Sequence, residues 1–165
     1  MTDMPVDAIA LLKADHREAE ALFEKFEKAK SDAEKQKIAT QVCNALKVHT
    51  TIEEDIFYPA LRGKIDDDML DEAYVEHDGA KVLINDILAA PGAEFYDAKV
   101  TVLGEEISHH VHEEEANSEG MFAKARKTDV DLVELGRQMK ALKDDLMPQA
   151  EANSLPPAKT RAVNA

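Results

Sequence analysis

Residues 31–59 have the sequence SDAEKQKIATQVCNALKVHTTIEEDIFYP, and this stretch decides the fold class. Its first four residues, Ser31 to Glu34, have the form of a capping box, in which serine and glutamate side chains satisfy the free N–H groups of a helix start. One apolar face then extends toward Pro59 at spacings of three and four, and its members are Ile38, Val42, Ala45, His49, Ile52 and Ile56. Such a period is typical of an amphipathic α-helix, so the stretch predicts a long helix with one buried side.

The same period recurs on both sides of this helix, and glycine or proline separates most of the segments. Further helices are predicted over residues 7–29, from the acidic run 66–68 to Pro91, over 94–116 and over 131–147. Alternating β-branched residues and hairpin turns are missing from the pattern. We therefore predict an all-α fold, an antiparallel four-helix bundle with an additional C-terminal amphipathic helix. The bundle should comprise residues 1–127 and the accessory helix 128–150, and residues 151–165 are predicted to be disordered.

Composition excludes several functional classes. The chain has 165 residues and a formal net charge of −14, which would repel phosphate-rich partners, so neither nucleic acid nor an anionic membrane surface is expected. No apolar run approaches the roughly 18 residues that a membrane span needs. A single cysteine, Cys43, and a start without the basic and apolar regions of a signal peptide favour a cytoplasmic location.

Histidines mark the inner faces of the first four predicted helices. One histidine on each helix continues the apolar face, and these four are His16, His49, His77 and His110. Buried imidazoles need polar partners, and Ser, Thr and Asn are almost missing from these faces. Four such histidines converging from antiparallel helices therefore predict a metal site, although any one of them alone would more often be a hydrogen-bonded core residue.

Glutamates one turn after two of these histidines complete the predicted site. Glu53 follows His49 by four residues and Glu114 follows His110 by four, which stacks each pair on one helix face. His109 and His112 fall on more polar rows and are predicted to face water, and Glu20 is a second-choice ligand. Four imidazoles and two carboxylates without a thiolate suit a borderline first-row metal. If both glutamates bridge, two ions each receive four donors, and about two octahedral positions per ion stay open.

A ferritin-like di-iron bundle is the alternative metal fold. It requires Glu-x-x-His on two helices and a glutamate on each of two others. The only such spacing here is Glu106 to His109, on the polar row. The ferritin-like fold needs this Glu-x-x-His spacing twice, and its single occurrence disfavours this alternative.

The ordered set of these segments resembles the hemerythrin-like family, also called the HHE cation-binding domain, over about residues 8–127. The matching segments are Asp15-His16, residues 49–59, Glu76-His77-Asp78, residues 109–115 and residues 121–126. The resemblance implies a left-handed antiparallel bundle that holds a non-haem di-iron centre, with iron preferred over manganese or zinc. Carried over by position, the metal ligands would be His16, His49, Glu53, His77, His110 and Glu114.

Two departures from the family pattern bear on function. Ala73 occupies the place of a further helix-three histidine found in oxygen-carrying hemerythrins, which weakens the case for reversible oxygen carriage; Tyr74 is the nearest polar neighbour that could compensate. Residues 116–120 interrupt the segment after the fourth helix.

Three functions are compatible with the sequence. The centre could bind or sense iron or a small ligand such as O2, NO or peroxide, which is the favoured interpretation. It could instead be an enzyme that decomposes peroxide or reduces NO, or the metal could be structural in a helical interaction module. The apolar face of residues 131–147 should cover the chain's own bundle or meet a second copy, so the chain is expected to be a monomer or homodimer.

Overall fold

The computed structural model describes residues 6–164 and contains no strand among them. A π-helical turn, Glu53–Phe57, joins the second helix to the third. The helices are α1 (Ala8–Lys28), α2 (Asp32–Ile52), α3 (Tyr58–Leu61), α4 (Asp67–Ala89), α5 (Tyr96–Glu115), α6 (Met121–Arg126) and α7 (Leu132–Glu151). Among residues 6–164, every helix is either too short or too polar to span a bilayer.

The four long helices α1, α2, α4 and α5 form the bundle. Each contacts two of the others, since α1 packs on α2 and α5, and α4 packs on α2 and α5. Short connections make successive helices antiparallel. The predicted all-α bundle is therefore confirmed.

Side-chain caps set the starts of α1, α2 and α7, and at α7 Asp131 Oδ1 accepts from the Glu134 N–H at 3.0 Å. Asp7 Oδ1 accepts a hydrogen bond from the Ala10 N–H at 2.8 Å, and Ser31 Oγ accepts one from the Glu34 N–H at 3.2 Å. These bonds satisfy backbone groups that a helix start leaves free. α1 and α2 consequently begin within one residue of the predicted positions.

The π-helical turn interrupts the long second helix at the site. In this turn the Tyr58 N–H donates to the Glu53 carbonyl, five residues back. Pro59 has no N–H for the next such bond, and the Glu54 carbonyl accepts from the Tyr74 hydroxyl at 3.2 Å instead. Glu53 and Tyr58 thereby come to one side of the helix, although a regular α-helix would separate residues five apart by about 140°.

The C-terminal helix α7 packs against α1 and α2 of its own bundle. Met139 is fully buried, and a Cβ atom on Gly136 would lie 2.6 Å from the Val6 carbonyl oxygen, so α7 crosses the start of α1 at close range. The apolar face of α7 was expected either to cover the chain's own bundle or to meet a second copy. In the structure it covers the chain's own bundle. α7 also extends to Glu151, past the predicted end at residue 147, because the buried Ala150 holds its last turn.

The chain beyond α7 is not helical, but it is bonded to α4. The amide of Asn85 exchanges hydrogen bonds of 2.8 Å with the backbone of Ala158. The Asp78 carboxylate accepts from the backbone N–H groups of Arg161, Ala162 and Val163. The sequence predicted disorder for this segment, whereas the structure shows it bonded to α4 by single side chains, and such bonds leave no periodic pattern in a sequence. Residue 165 lies outside the described residues.

Candidate metal centre

A layer of polar side chains divides the interior of the bundle. The apolar cluster on one side contains Phe57, Leu70 and Met139, and the cluster on the other side contains Val42, Ile84 and Leu103. The structure brings all six residues predicted as ligands into the layer between them, each no more than 6% exposed. They are His16 of α1, His49 of α2, Glu53 of the π-helical turn, His77 of α4, and His110 and Glu114 of α5.

Two groups of donor atoms can be distinguished within the layer. In the first group, one ligand atom from each of four residues lies within 4.8 Å of the others, and the residues are His16, His49, Glu53 and Glu114. In the second, the same holds for Glu53, His77 and His110. Glu53 belongs to both groups, so one buried carboxylate is common to two sets of potential cation ligands.

The two oxygens of Glu53 face different histidines. Oε1 lies 3.1 Å from His49 Nε2, and Oε2 lies 2.9 Å from His77 Nε2. Glu114 Oε1 lies 2.9 Å from His110 Nε2 and 3.5 Å from His16 Nε2, and so stands between the two groups. Each glutamate therefore lies between a histidine of the first group and a histidine of the second.

Each histidine is oriented by a carboxylate behind it. The Nδ1 atoms of His16, His49, His77 and His110 lie 2.7, 3.0, 3.0 and 3.2 Å from carboxylate oxygens. The carboxylates belong to Glu115, Asp15, Glu54 and Glu76, respectively. A hydrogen bond at Nδ1 leaves Nε2 as the metal-binding nitrogen, which is the usual second layer around a histidine ligand.

Basic residues neutralise three of these outer carboxylates. Arg17 is paired with Glu115, while Lys143 of α7 lies 2.5 Å from Asp15. Lys81 and Arg161 both contact Glu54, at 2.8 and 2.9 Å. The accessory helix and the C-terminal segment thus reach the residues that orient His49 and His77.

Unpartnered atoms test whether the layer fits a cation. Among the described residues, five buried side-chain atoms have no hydrogen-bond partner, and four of them belong to the layer. These four are His16 Nε2, His49 Nε2, Glu53 Oε1 and Glu114 Oε1. Buried polar atoms without partners are costly, and a cation is the partner that would satisfy lone pairs of both nitrogen and oxygen. The residues present therefore fit a bound metal.

Within the layer, neighbouring imidazoles and carboxylates shift each other's pKa values. Burial lowers the pKa of His49, but Glu53 and Asp15 outweigh it and raise this pKa to about 10. Burial raises the pKa of Glu53, whereas His49 and the histidines of α4 and α5 bring it well below its ordinary value. Without a cation, protonated imidazole thus lies beside ionised carboxylate. A cation that binds these donors has to displace the protons.

Tyr58 is a member of the layer that the sequence analysis did not single out. Its fully buried hydroxyl donates to Glu53 Oε2 at 2.7 Å and lies 3.2 Å from Nε2 of both His77 and His110. Burial and the charges of Glu114 and Glu53 raise the pKa of this phenol well above its ordinary value, so it keeps its proton. Only the five-residue spacing from Glu53, combined with a π-helical turn, could have indicated it.

Other residues considered from the sequence lie outside the layer. His109 is 65% exposed and His112 is exposed, while Glu20 forms a surface pair with Arg17. Tyr74 donates to a backbone carbonyl instead of entering the layer in place of the missing histidine at Ala73. Burial raises the pKa of the Cys43 thiol to about 12, which makes it a neutral core side chain.

Comparisons with known proteins agree with this geometry. Residues 7–125 match the hemerythrin HHE cation-binding domain. A DNA nickase from Nostoc sp. is 26% identical over 117 residues, which are 70% of this chain and 32% of that protein, so the chain spans about a third of this relative. The crystal structure of an HHE cation-binding domain-containing protein from Mycobacterium kansasii has a TM-score of 0.70 at 22% identity, covering 91% of this chain and 95% of the other. At this identity the likeness shows the fold.

Proposed function

Because the chain belongs to the hemerythrin HHE cation-binding domain family, we propose that it is a non-haem di-iron protein whose centre binds or senses a small ligand. The proposed iron ligands are His16, His49, Glu53, His77, His110 and Glu114. The family and the histidine and glutamate groups already support metal binding in general. The number of ions, their identity and the small ligand are parts of the proposal.

The position of Glu53 carries the proposal of two ions. Its side chain is fully buried, and its two oxygens approach histidines of different groups, His49 and His77. A carboxylate that binds a single ion directs one or both of its oxygens toward that ion. The oxygens of Glu53 instead approach different groups of ligands. Two groups of donors that share one buried carboxylate favour two cations.

The donor set favours iron. Imidazole and carboxylate together suit first-row metals of borderline softness, whereas structural zinc sites commonly use thiolates. Six protein ligands with two bridging carboxylates leave about two octahedral positions on each ion. An iron pair would supply these open positions and electrons for redox chemistry.

A small, mostly apolar cavity supports the proposal of a small ligand. It has a volume of about 20 Å³ and is lined by residues that include His16, His49, Leu46 and Met147. This volume is close to the space needed for one water molecule. The apolar walls suit O2 or NO better than a charged ligand, and α7 helps to exclude bulk water through Met147.

The net charge of −14 opposes DNA, so nucleic acid is no part of the proposal.

A second candidate, an enzyme that decomposes peroxide or reduces NO, is favoured by Tyr58. Its protonated hydroxyl lies inside the layer at hydrogen-bond distance from Glu53 and from the nitrogens of two histidines. It could donate a proton to a small molecule bound there, as a general acid does. Sustained consumption of peroxide or NO by loaded protein, reduced by Tyr58→Phe, would favour this candidate over ligand sensing.

Anaerobic loading with Fe²⁺ tests the main proposal. Wild-type protein should retain two iron ions per chain after desalting, and its optical spectrum should change on addition of O2, NO or peroxide. His49→Ala should reduce the retained iron far more than His109→Ala, because only His49 lies in the buried layer. One retained ion, or equal losses from both variants, would contradict the proposed centre.

A further inference from the structure

A large acidic cavity leads from the surface to the polar layer. It has a volume of about 630 Å³ and lies against α4 and α5. Eight of its fourteen lining residues are aspartate or glutamate, and none is lysine or arginine. Asp66 is paired with Lys124, but no lysine or arginine of the described chain lies within 4 Å of the carboxylates of Glu72, Glu76 or Glu113. The cavity therefore has a strongly negative wall.

The inner end of this cavity reaches the polar layer. Its lining includes His110 and Glu114, which are 4% and 1% exposed. Glu114 Oε1 makes no hydrogen bond of suitable geometry, although His110 Nε2 lies 2.9 Å from it. A buried carboxylate oxygen that makes no hydrogen bond, at the inner end of an acidic cavity, is an arrangement that attracts a cation.

A third group of potential ligands lies beside the cavity. His109 Nε2 lies 3.1 Å from Glu113 Oε1 and 3.6 Å from Glu76 Oε2. The ligand atoms of these three residues all lie within 4.8 Å of one another. His109 is 65% exposed, so a hydrated ion can reach it directly.

Glu76 connects this outer group to the buried layer. While Oε2 approaches His109, its other oxygen, Oε1, lies 3.2 Å from His110 Nδ1. One carboxylate thus contacts both an exposed histidine and a histidine of the proposed iron centre. The outer group and the centre are separated by a single side chain.

We propose that the acidic cavity is the entry route for divalent first-row cations, and that Glu76, His109 and Glu113 form a weak outer site that takes up the ion first. This inference rests on the proposed function, since it concerns loading of the same centre. A cleft lined by one sign of charge concentrates counter-ions and raises their association rate by 10- to 1,000-fold. Imidazole and carboxylate donors select borderline divalent ions, and solvent exposure keeps the outer site weak.

Rapid mixing of metal-free protein with Co²⁺ tests the route. Cobalt uptake is followed by visible absorption without added oxidant, and bound metal is counted after desalting. The test variant is His109→Ala/Glu113→Gln, and the matched control is Glu24→Gln, which removes the same single charge from an exposed position on α1. We expect wild type and control to load at equal rates, and the test variant to load about 10-fold more slowly. At the end of loading, wild type, control and test variant should each retain two ions per chain.

A titration of fully loaded protein tests the outer site. Wild type should bind a third, weaker equivalent of Co²⁺ that His109→Ala/Glu113→Gln does not bind. Equal loading rates for all three proteins would overturn the entry route, and a wild type without the third equivalent would overturn the outer site. A test variant that retains fewer than two ions would place His109 and Glu113 in the centre itself and would also overturn the inference. Wild-type protein that binds no cobalt would instead contradict the proposed function on which the inference rests.

Discussion

Replacement of Asp15 by alanine tests how far the residues behind the ligands determine metal affinity. Asp15 Oδ2 lies 3.0 Å from His49 Nδ1, and Oδ1 lies 2.5 Å from Lys143 Nζ. The Asp15 side chain is only 9% exposed. In Asp15→Ala, His49 loses the partner that fixes its tautomer and its ring orientation. The Lys143 side chain is 28% exposed, so water can solvate its ammonium and the fold should be retained.

The expected loss follows from the usual effect of such outer partners. Their removal reduces metal affinity by about 10- to 100-fold. That range corresponds to about 1.4–2.8 kcal/mol of binding free energy. Asp15→Asn keeps an acceptor for the His49 N–H and should lose less affinity than Asp15→Ala.

Competition with a chelator of known affinity measures this effect under anaerobic conditions. Asp145→Ala removes the same charge from an exposed position on α7 and serves as the control, with an affinity equal to that of wild type. An Asp15→Ala variant that folds and binds metal as tightly as this control would refute the role assigned to Asp15.

Three further predictions concern the fold and its protonation. Met139→Ala should lower the free energy of unfolding in urea by about 2–5 kcal/mol, because Met139 is fully buried between α7 and the bundle; Lys140→Ala on the exposed face should change it by less than about 0.5 kcal/mol. The Cys43 thiol, with a pKa near 12, should react with a thiol reagent at pH 8 only after unfolding, and rapid reaction of native protein would contradict its burial. The pKa of His49 is raised from 6.5 to about 10, so its proton stabilises the metal-free fold below pH 6.5, and this stabilisation should be lost as the pH rises through 10. Urea unfolding of metal-free protein at pH 6, 8 and 10 measures this loss, and unchanged stability would contradict it.

Periodicity in the sequence was enough to predict the five long helices and the buried faces that contain the six candidate ligands, but it did not predict the short helices α3 and α6. The faces that contain His16, His49, His77 and His110 are apolar over several turns, so each histidine could be assigned to the interior before the packing was known. The start of α2 was predicted from its capping box because that interaction is confined to residues 31–34. Local spacing therefore contains the information that locates these side chains.

The remaining features depend on contacts between distant residues. Glu76 precedes His77 in the sequence, yet it is bonded to His110 of another helix. Tyr58 enters the layer because the helix changes to π-helical spacing after Ile52, and a regular α-helical pattern predicts a different face for it. The C-terminal segment is held by the carboxylate of Asp78 and by single side-chain bonds, none of which follows a period.

Anomalous diffraction from crystals of iron-loaded protein, recorded above and below the iron absorption edge, is the most direct test of the proposed two-ion centre. Two iron peaks should lie within the bundle, one beside His16 and His49 and the other between His77 and His110, with Glu53 and Glu114 bound to both. A single peak, or iron located only at the exposed group around His109, would contradict the account.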